Sequence, residues 1–286
     1  SYDTTSPATG LNTVDIEREP DGTGSWQLGP NYNTKLSTNM YDYVLTLEHN
    51  MSDCVYGNGD IALDGSGNSY DATNINTITK ATGKVCDGFD LSSSNTNDYI
   101  KLNPSAINGN AAFGISFWIK PISLSNGETL LSGDQSSEVD EELLFNLDGG
   151  FFTLTYRGTQ VTFTHTAPDD SWHHIVLSKN SREICMILDG NENCQTGNVN
   201  LDTPLSIDAN AFVFGRDVIN GGGDYDGLVD ELLIFSTPLN ESVAQEFYAN
   251  YNLGANYDYL GDEKACNGRC VNPMAYQDEI MINEVH

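Results

Sequence analysis

The sequence predicts an all-β fold, a two-sheet antiparallel jelly-roll sandwich with one short helix and with β-strand extensions at its ends. Short apolar or alternating runs recur along the 286 residues, and clusters of Gly, Asn and Asp separate them at regular spacing. Aromatic residues make up 10% of the chain and are mostly Tyr and Phe, which suit sheets better than helical bundles. No run of eighteen apolar residues occurs, so we expect no membrane-spanning segment.

The predicted strands fall between residues 41 and 252. They cover 42–47, 99–102, 113–119, 128–131, 143–147, 151–156, 160–166, 173–177, 183–188, 212–214 and 228–235. One helix is predicted at 240–251, because Asn240 can cap its first turn and Val243, Phe247 and Tyr251 recur every four residues on one face.

Three regions follow from this pattern. Residues 1–40 form an N-terminal extension that holds one short alternating strand from Thr13, with Val14 and Ile16 on it, and too little apolar material for a core of its own. Residues 41–252 form the jelly roll, and 253–286 form a C-terminal extension that ends in a strand with Ile280, Ile282 and Val285. An unpaired terminal strand favours pairing with another chain, so these five residues are the candidate assembly strands.

The charge is strongly acidic, with 12 basic residues against 41 acidic ones. This balance excludes general nucleic-acid binding, because a phosphate backbone would be repelled. It fits a protein that binds divalent cations or lives in salty water, and it equally fits a need for solubility alone.

Six cysteines without a CxxC pair indicate disulfides and an oxidising, extracellular or cell-surface location. We expect local pairs: Cys185 with Cys194 across a hairpin turn, Cys266 with Cys270 around a short loop, and Cys54 with Cys86 by elimination. Six cysteines allow fifteen connectivities, so the hairpin pair is the best supported. The first residues are polar, so we expect an excised or processed segment of a longer exported chain.

The stretch 223–235 places Asp230 inside an apolar strand that follows an Asp-Gly turn. A carboxylate in a half-buried strand is costly unless donors or a cation surround it. Asp230 is therefore expected either to accept backbone N–H groups or to bind a metal ion.

Three stretches together resemble the laminin-G-like, pentraxin-like family of concanavalin A-type jelly rolls. They are ALDGSGNSYDA at 62–72, GISFWIKP at 114–121 with DSWHHIVLSKN at 170–180 and CMILDGN at 185–191, and YDGLVDELLIFSTPLNESVAQEFY at 225–248. The resemblance implies two packed sheets, a non-catalytic binding module and a calcium ion held by Asp64, Asn68 and Asp230. Calcium prefers six to eight oxygen ligands, so Asp224 and Asp226 are possible further ligands.

A second resemblance concerns the two ends. DIEREPDGTGSW at 15–26 resembles the closing strand of a lamin-tail-type immunoglobulin-like domain, and EIMINEVH at 279–286 resembles an opening strand. It implies a modular parent chain. The end strands are alternatively expected to pair with each other or with neighbouring subunits, or to be incidental β-prone ends.

An enzymatic alternative rests on Glu138, Asp140 and Glu142, which match the Glu-x-Asp-x-Glu pattern of glucanases that share the jelly-roll fold. On a strand these three carboxylates would face one side, as a retaining mechanism needs. Against it, the only tryptophans are Trp26, Trp118 and Trp172, too few for a sugar-stacking cleft. His173 and His174 are interpreted as structural, one packed and the other exposed, because adjacent strand residues face opposite sides.

The sequence thus predicts an extracellular, calcium-binding, non-catalytic module of a larger surface or secreted protein, which serves adhesion by binding a carbohydrate or protein ligand. Loops at 70–79, 92–99 and 216–226 are the expected contact surfaces. A first alternative is a fibre subunit that pairs with copies of itself by strand addition. A second is the glycoside hydrolase at 138–142.

Overall fold

The computed structural model describes residues 16–18, 26–28, 43–46, 61–62, 64, 68–76, 78–84, 87–92, 97–122, 127–136, 142–166, 170–181, 183–196 and 201–252. Within these ranges the chain forms eighteen strands, one α-helix and one short 3-10 turn at Pro104–Ala106. None of the described helices is long and apolar enough to cross a membrane.

Eight strands form the first antiparallel sheet. They are β4 (Ile61–Ala62), β5 (Ala72–Ile75), β8 (Tyr99–Lys101), β10 (Thr129–Gly133), β11 (Leu143–Asp148), β12 (Phe151–Tyr156), β13 (Thr159–Thr166) and β17 (Phe212–Phe214). Their order across the sheet is β13-β12-β11-β10-β17-β8-β5-β4.

Eight further strands form the second antiparallel sheet. They are β3 (Tyr43–Thr46), β6 (Thr79–Thr82), β7 (Asp87–Asp90), β9 (Phe113–Pro121), β14 (His173–Lys179), β15 (Glu183–Leu188), β16 (Asn191–Thr196) and β18 (Gly227–Phe235). Their order is β16-β15-β14-β9-β18-β7-β6, and β3 also pairs with β18. A separate pair joins β1 (Ile16–Arg18) to β2 (Trp26–Leu28).

The main core lies between the two sheets, because alternating residues of both contribute to a single apolar cluster. Phe117 of β9 and Phe214 of β17 meet edge to face across it, with ring centroids 5.1 Å apart. The chain therefore forms the two-layer sandwich that its alternating pattern predicts.

Helix α1 (Glu241–Asn252) covers the outer face of the second sheet. Phe247 of the helix packs with Trp118, Val176, Leu233 and other side chains of a second apolar cluster. Asn240 caps the helix, since its Oδ1 accepts the Val243 N–H at 3.0 Å. The capped helix with Phe247 on its buried face confirms the sequence prediction.

The predicted apolar strands are all present, with ends shifted by one or two residues. The sequence missed β2, β4, β5, β6, β7 and β16, and all of these except β2 carry few large apolar residues. Apart from β2, these strands lie at or near the edges of the two sheets, where backbone pairing rather than burial specifies a strand. The predicted turn between Cys185 and Cys194 is also shorter than expected, because Asp189 and Gly190 alone connect β15 to β16.

The Cys185–Cys194 disulfide is confirmed and joins two directly paired residues of β15 and β16. Cys54, Cys86, Cys266 and Cys270 lie outside the described residues, so their pairing stays a prediction. Of the candidate assembly residues, Ile16 lies in β1, which pairs with β2, and Val14, Ile280, Ile282 and Val285 lie outside the described ranges.

Candidate functional site

Backbone hydrogen bonds join several connecting segments at one end of the sandwich. Gly127 N–H donates to Leu147 O at 2.7 Å, and Thr129 N–H donates to Gly223 O at 2.7 Å. Ile122 N–H donates to Asp226 O at 2.9 Å. We call residues 97–99, 122, 127–128, 148–151 and 216–226 the loop end.

Glycine is required where two of these segments touch. Gly223 has a φ of +62°, and a Cβ on it would lie 2.3 Å from Gly127 O. Since a side chain at this position would meet both backbone strain and a clash, the close approach of the two segments depends on Gly223.

Some residues of the loops that are expected to contact a ligand are in contact with one another at the loop end. Arg216 Nη1 bonds to Asn97 Oδ1, and Asn76 Nδ2 bonds to Asn97 O. Arg216 also lies 3.3 Å from Asp224 Oδ1 and 6.0 Å from the centre of the Tyr99 ring. One arginine therefore connects the predicted loop at 92–99 to the loop at 216–226.

Acidic groups are concentrated within the loop end. Glu128 is buried, and its Oε2 accepts the Asp226 N–H at 3.4 Å. Burial, followed by the charge of Asp90, raises the pKa of Asp226. Burial also raises the pKa of Tyr225 well above its usual value, with the charges of Glu128 and Asp226 adding to the effect.

Exposed apolar side chains are also concentrated at the loop end. The three large hydrophobic residues that the described part of the chain leaves exposed are Ile122, Phe151 and Ile219, at 56%, 41% and 41% exposure. All three belong to the loop end. Apolar groups beside carboxylates and a guanidinium form a surface of mixed character that suits a ligand with both apolar and hydrogen-bonding faces.

The predicted calcium ligands lie in two elements. Asp64 follows β4 in the first sheet and is buried, with its Oδ2 accepting the Tyr70 N–H at 3.0 Å. Asn68 lies on the same loop and is exposed. Asp230 lies in the middle of β18 in the second sheet and is fully buried.

The backbone around Asp230 is irregular. The pairing of β18 with β9 shifts register between Asp230 and Leu233, and Glu231 has a φ of +54°. Asp230 Oδ1 accepts the Glu231 N–H at 2.9 Å. Both side chains are buried, so two adjacent carboxylates lie in the interior of the strand. A non-glycine residue in this conformation costs free energy and is often found at functional positions.

Glu142 of the enzymatic alternative does not lie in an open catalytic cleft. It is buried, its Oε1 and Oε2 lie 2.6 Å and 2.7 Å from Arg157 Nη1, and Oε2 also accepts the Ser206 N–H at 3.0 Å. The expectation that Glu142 faces a substrate is therefore wrong, because the fold uses both of its oxygens. Glu138 and Asp140 lie outside the described residues.

The two adjacent histidines differ as predicted, with His174 buried and His173 partly exposed. Burial lowers the pKa of His174 to about 3, against a smaller raising effect from Asp189, and His174 Nε2 lies 2.8 Å from Ser116 Oγ. His173 makes an unexpected contact, since its Nδ1 lies 2.6 Å from Asp189 Oδ2.

Sequence reasoning missed the contributions of Asp90, Glu128, Arg216 and Asp189. Two signals were visible in the sequence: Glu128 directly after Gly127, and the Asp-Gly turn at 189–190. Their partners lie far along the chain, however, and only the folded register brings them together.

The two sheets, the outer helix and the loop end define a jelly-roll β-sandwich of the lectin type. The chain belongs to the concanavalin A-like lectin/glucanases superfamily, whose laminin G-like pattern matches residues 94–244, more than half of the chain. A search of the curated proteins found no match.

Solved structures with the same fold come from binding and hydrolytic proteins. Domain 4 of AbnA, a GH43 extracellular arabinanase from Geobacillus stearothermophilus solved with arabinotriose, is 19% identical, with a TM-score of 0.56 over 73% of this chain and 98% of that one. Trypanosoma rangeli sialidase is 16% identical, with a TM-score of 0.55 over 75% of this chain and 33% of the sialidase. The receptor binding domain of botulinum neurotoxin type G is 15% identical, with a TM-score of 0.51 over 72% of this chain and 51% of that domain. At these identities the likeness shows the fold.

Proposed function

We propose that the chain is an extracellular module that binds a carbohydrate or protein ligand at its loop end, and that this site is a non-catalytic one. The observation that carries this proposal is the placement of Ile122, Phe151 and Ile219, all exposed, at the one end of the sandwich where backbone hydrogen bonds join the connecting segments. Exposed apolar groups rimmed by polar ones are typical of interaction surfaces.

The chemistry of the loop end suits a sugar. The apolar face of a pyranose or furanose ring packs on side chains such as Phe151, while its hydroxyl groups exchange hydrogen bonds with carboxylates, amides and a guanidinium. Arg216 and Asp224, on the same 216–226 segment as Ile219, supply such groups. A domain with this fold was solved with arabinotriose, and another is a receptor binding domain, which supports both forms of the proposal.

The non-catalytic character is supported by the position of Glu142. A glycosidase needs two carboxyl groups facing the scissile bond. Glu142 instead forms an ion pair with Arg157 and accepts a hydrogen bond from the Ser206 N–H.

We further propose that calcium is held by oxygen atoms of Asp64, Asn68 and Asp230. Two adjacent buried carboxylates at Asp230 and Glu231, beside a strained backbone, provide the negative charge that a divalent cation would neutralise. Asp64, which follows β4 of the first sheet, is buried as well. A bound ion would supply charge compensation to these carboxylates.

An extracellular setting is supported by the confirmed disulfide, since such bonds persist in oxidising compartments. A role in adhesion within a modular chain, and assembly with copies of itself through terminal strands, stay predictions from the sequence.

The proposed function is tested with a glycan panel that includes arabino-oligosaccharides, probed with the chain in calcium and in excess chelator. We expect binding to at least one glycan, and we expect the double variant Phe151→Ser, Ile219→Ser to lose it. Ser105→Ala is the control, because Ser105 is exposed on the Pro104–Ala106 turn outside the loop end. Glycan binding that survives in the double variant would show that the loop end is not the site.

If no glycan binds, the carbohydrate form of the proposal is wrong, and the same two variants are compared for binding to extracellular protein extracts immobilised on beads. Retention of wild type and of Ser105→Ala but not of the double variant would support the protein form.

A further inference from the structure

A chain of three side chains lies on the second sheet, at the same end of the sandwich as the loop end, since His173 pairs with Ile119, three residues before Ile122. Ser171 Oγ is 2.9 Å from His173 Nε2, and His173 Nδ1 is 2.6 Å from Asp189 Oδ2. Asp189 Oδ1 also accepts the His174 N–H at 2.8 Å, which fixes the carboxylate relative to β14. A hydroxyl, an imidazole and a carboxylate thus follow one another within hydrogen-bonding distance.

The contacts determine where the imidazole proton lies. An ionised carboxylate only accepts hydrogen bonds, so the proton of neutral His173 must be on Nδ1, facing Asp189. The other ring nitrogen, Nε2, then carries a lone pair and accepts the hydroxyl proton of Ser171. This is the tautomer in which an imidazole acts as a general base toward a hydroxyl.

The fold holds these groups in place. His173 opens β14, which pairs with β9 on one side and β15 on the other. Asp189 lies in the two-residue turn between β15 and β16, with a φ of +50°. Burial lowers the pKa of Lys84, His165 and His174, and the charge of Asp189 raises it by a smaller amount in each, so this carboxylate acts on neighbouring basic groups.

The hydroxyl is accessible to a small molecule. Ser171 is exposed, and the side chains of His173 and Asp189 are 17% and 22% exposed. A reagent can reach Ser171 Oγ without any movement of the sandwich.

We infer that Ser171 is an activated nucleophile for acyl transfer, with His173 as its general base and Asp189 orienting the imidazole. This activity goes beyond the ligand binding proposed for the loop end. Its substrates belong to the class of activated esters and related acyl donors.

The reaction balances with the groups present. Ser171 Oγ attacks the carbonyl carbon and forms a C–O bond while its proton passes to His173 Nε2. The bond from that carbon to the leaving oxygen then breaks, and His173 returns the proton to the departing alcohol. The products are acyl-Ser171 and a free alcohol. Water that attacks the acyl group by the same route then releases it as a carboxylic acid and restores the serine.

Another serine of the chain provides a matched comparison. Ser136 is exposed, and its hydroxyl donates directly to the Asp208 carboxylate without an imidazole between them. A carboxylate alone is a weak base toward a hydroxyl. Ser136 therefore makes a hydrogen bond but has no imidazole to accept and return its proton.

The test is acetylation by p-nitrophenyl acetate, followed by peptide mapping to locate the acetyl group. We expect acetyl-Ser171 in the wild type, none at Ser136, and unchanged labelling in Ser136→Ala. Ser171→Ala should remove the labelled peptide, and His173→Gln should slow labelling at Ser171 at least tenfold, since general base catalysis contributes about 10²–10⁴. All variants are compared below their melting temperatures.

The pH profile of labelling gives a second, independent measurement. In the wild type the rate of labelling at Ser171 should rise with pH along the titration curve of a single group. The His173→Gln variant should lack that rise. Equal labelling of Ser136 and Ser171, or an unchanged rate in His173→Gln, would show that the three side chains only stabilise the turn.

Discussion

Glu142 and Arg157 form a two-oxygen ion pair at the end of the β11–β12 hairpin, with Arg157 Nη1 2.6 Å and 2.7 Å from the two carboxylate oxygens. The backbone adds a further bond, from Arg157 N–H to Glu142 O at 2.9 Å. Glu142 is 1% exposed and Arg157 27% exposed, so the pair is largely removed from water. The carboxylate that fitted a glycosidase motif therefore contributes to stability.

Replacing Glu142 with Gln should destabilise the fold. The substitution leaves the Arg157 charge without its partner and weakens the bond to the Ser206 N–H. We expect the free energy of unfolding to fall by roughly 3 kcal/mol, the lower end for breaking a buried pair, because Arg157 keeps some contact with water. Urea unfolding followed by tryptophan fluorescence measures the change.

Asp148→Asn is the matched control for that variant. Asp148 ends β11, the strand that Glu142 directly precedes, and the substitution removes one negative charge, but the side chain is exposed. We expect the free energy of unfolding of Asp148→Asn to differ from that of the wild type by less than about 0.5 kcal/mol. An equal loss in the two variants would mean that the ion pair contributes nothing beyond net charge.

Much of this fold could be predicted because apolar side chains specify it. The strands at 113–121 and 227–235 are almost wholly buried, and such runs are visible in a sequence. β16 is different: it reads NENCQT, is partly or fully exposed along its length and is a strand because it pairs with β15. Sequence patterns report burial, so they miss strands that backbone hydrogen bonds define.

The site was less predictable for a related reason. Arg216 and Asn97 are separated by 119 positions, and Ser136 and Asp208 by 72. Which polar groups meet depends on the register of the strands between them, and no local pattern encodes that register. The hairpin disulfide could be predicted because its two cysteines are only nine positions apart.

Acid should destabilise the protein through His174. Burial holds its pKa at about 3 in the folded state, against 6.5 ordinarily. The unfolded chain therefore binds a proton that the folded chain excludes as pH falls from 6.5 toward 3. The stability that His174 contributes is complete above pH 6.5 and is lost through that window, by up to about 1.4 kcal/mol for each pH unit.

His174→Gln tests this dependence, because glutamine can still bond to Ser116 and does not titrate. We expect a smaller slope of unfolding free energy against pH between 4 and 6.5 in the variant than in the wild type. The carboxylates contribute equally to both proteins, so the difference isolates His174. Identical slopes in the two proteins would mean that the His174 imidazole takes up its proton over the same pH range in the folded and unfolded states.

Gly223→Ala should impair both stability and ligand binding. Alanine at a φ of +62° costs about 1–2 kcal/mol, and its Cβ would also lie 2.3 Å from Gly127 O. The two loop segments would have to separate, which moves Ile219 and Arg216 relative to Phe151. Glycan binding and thermal melting measure the two effects.

Gly109→Ala separates conformational strain from the clash. Gly109 has a φ of +78°, and a Cβ on it would meet no atom within 4 Å. It lies outside the loop end, so we expect the strain penalty alone and full ligand binding. If Gly223→Ala behaves no differently from Gly109→Ala, the contact between Gly223 and Gly127 does not shape the site.

Calcium should stabilise the protein through Asp230. An ion that binds only the folded state adds about 2.7 kcal/mol at one hundred times its dissociation constant, so the melting temperature should rise with calcium and fall in chelator. Asp230→Asn should erase the difference between the two conditions, because an uncharged amide at this buried position offers only one weak ligand atom.

Asp71→Asn is the comparison for Asp230→Asn, since Asp71 lies on the same loop as Asp64 and its Oδ1 accepts the Asp64 N–H at 2.8 Å. That variant should lower the melting temperature in both conditions and keep the response to calcium. A melting temperature that is the same in calcium and chelator for the wild type would instead mean that Asp230 is satisfied by backbone donors such as the Glu231 N–H. The strain at Glu231 would then belong to the bulge that places Leu232 in the core.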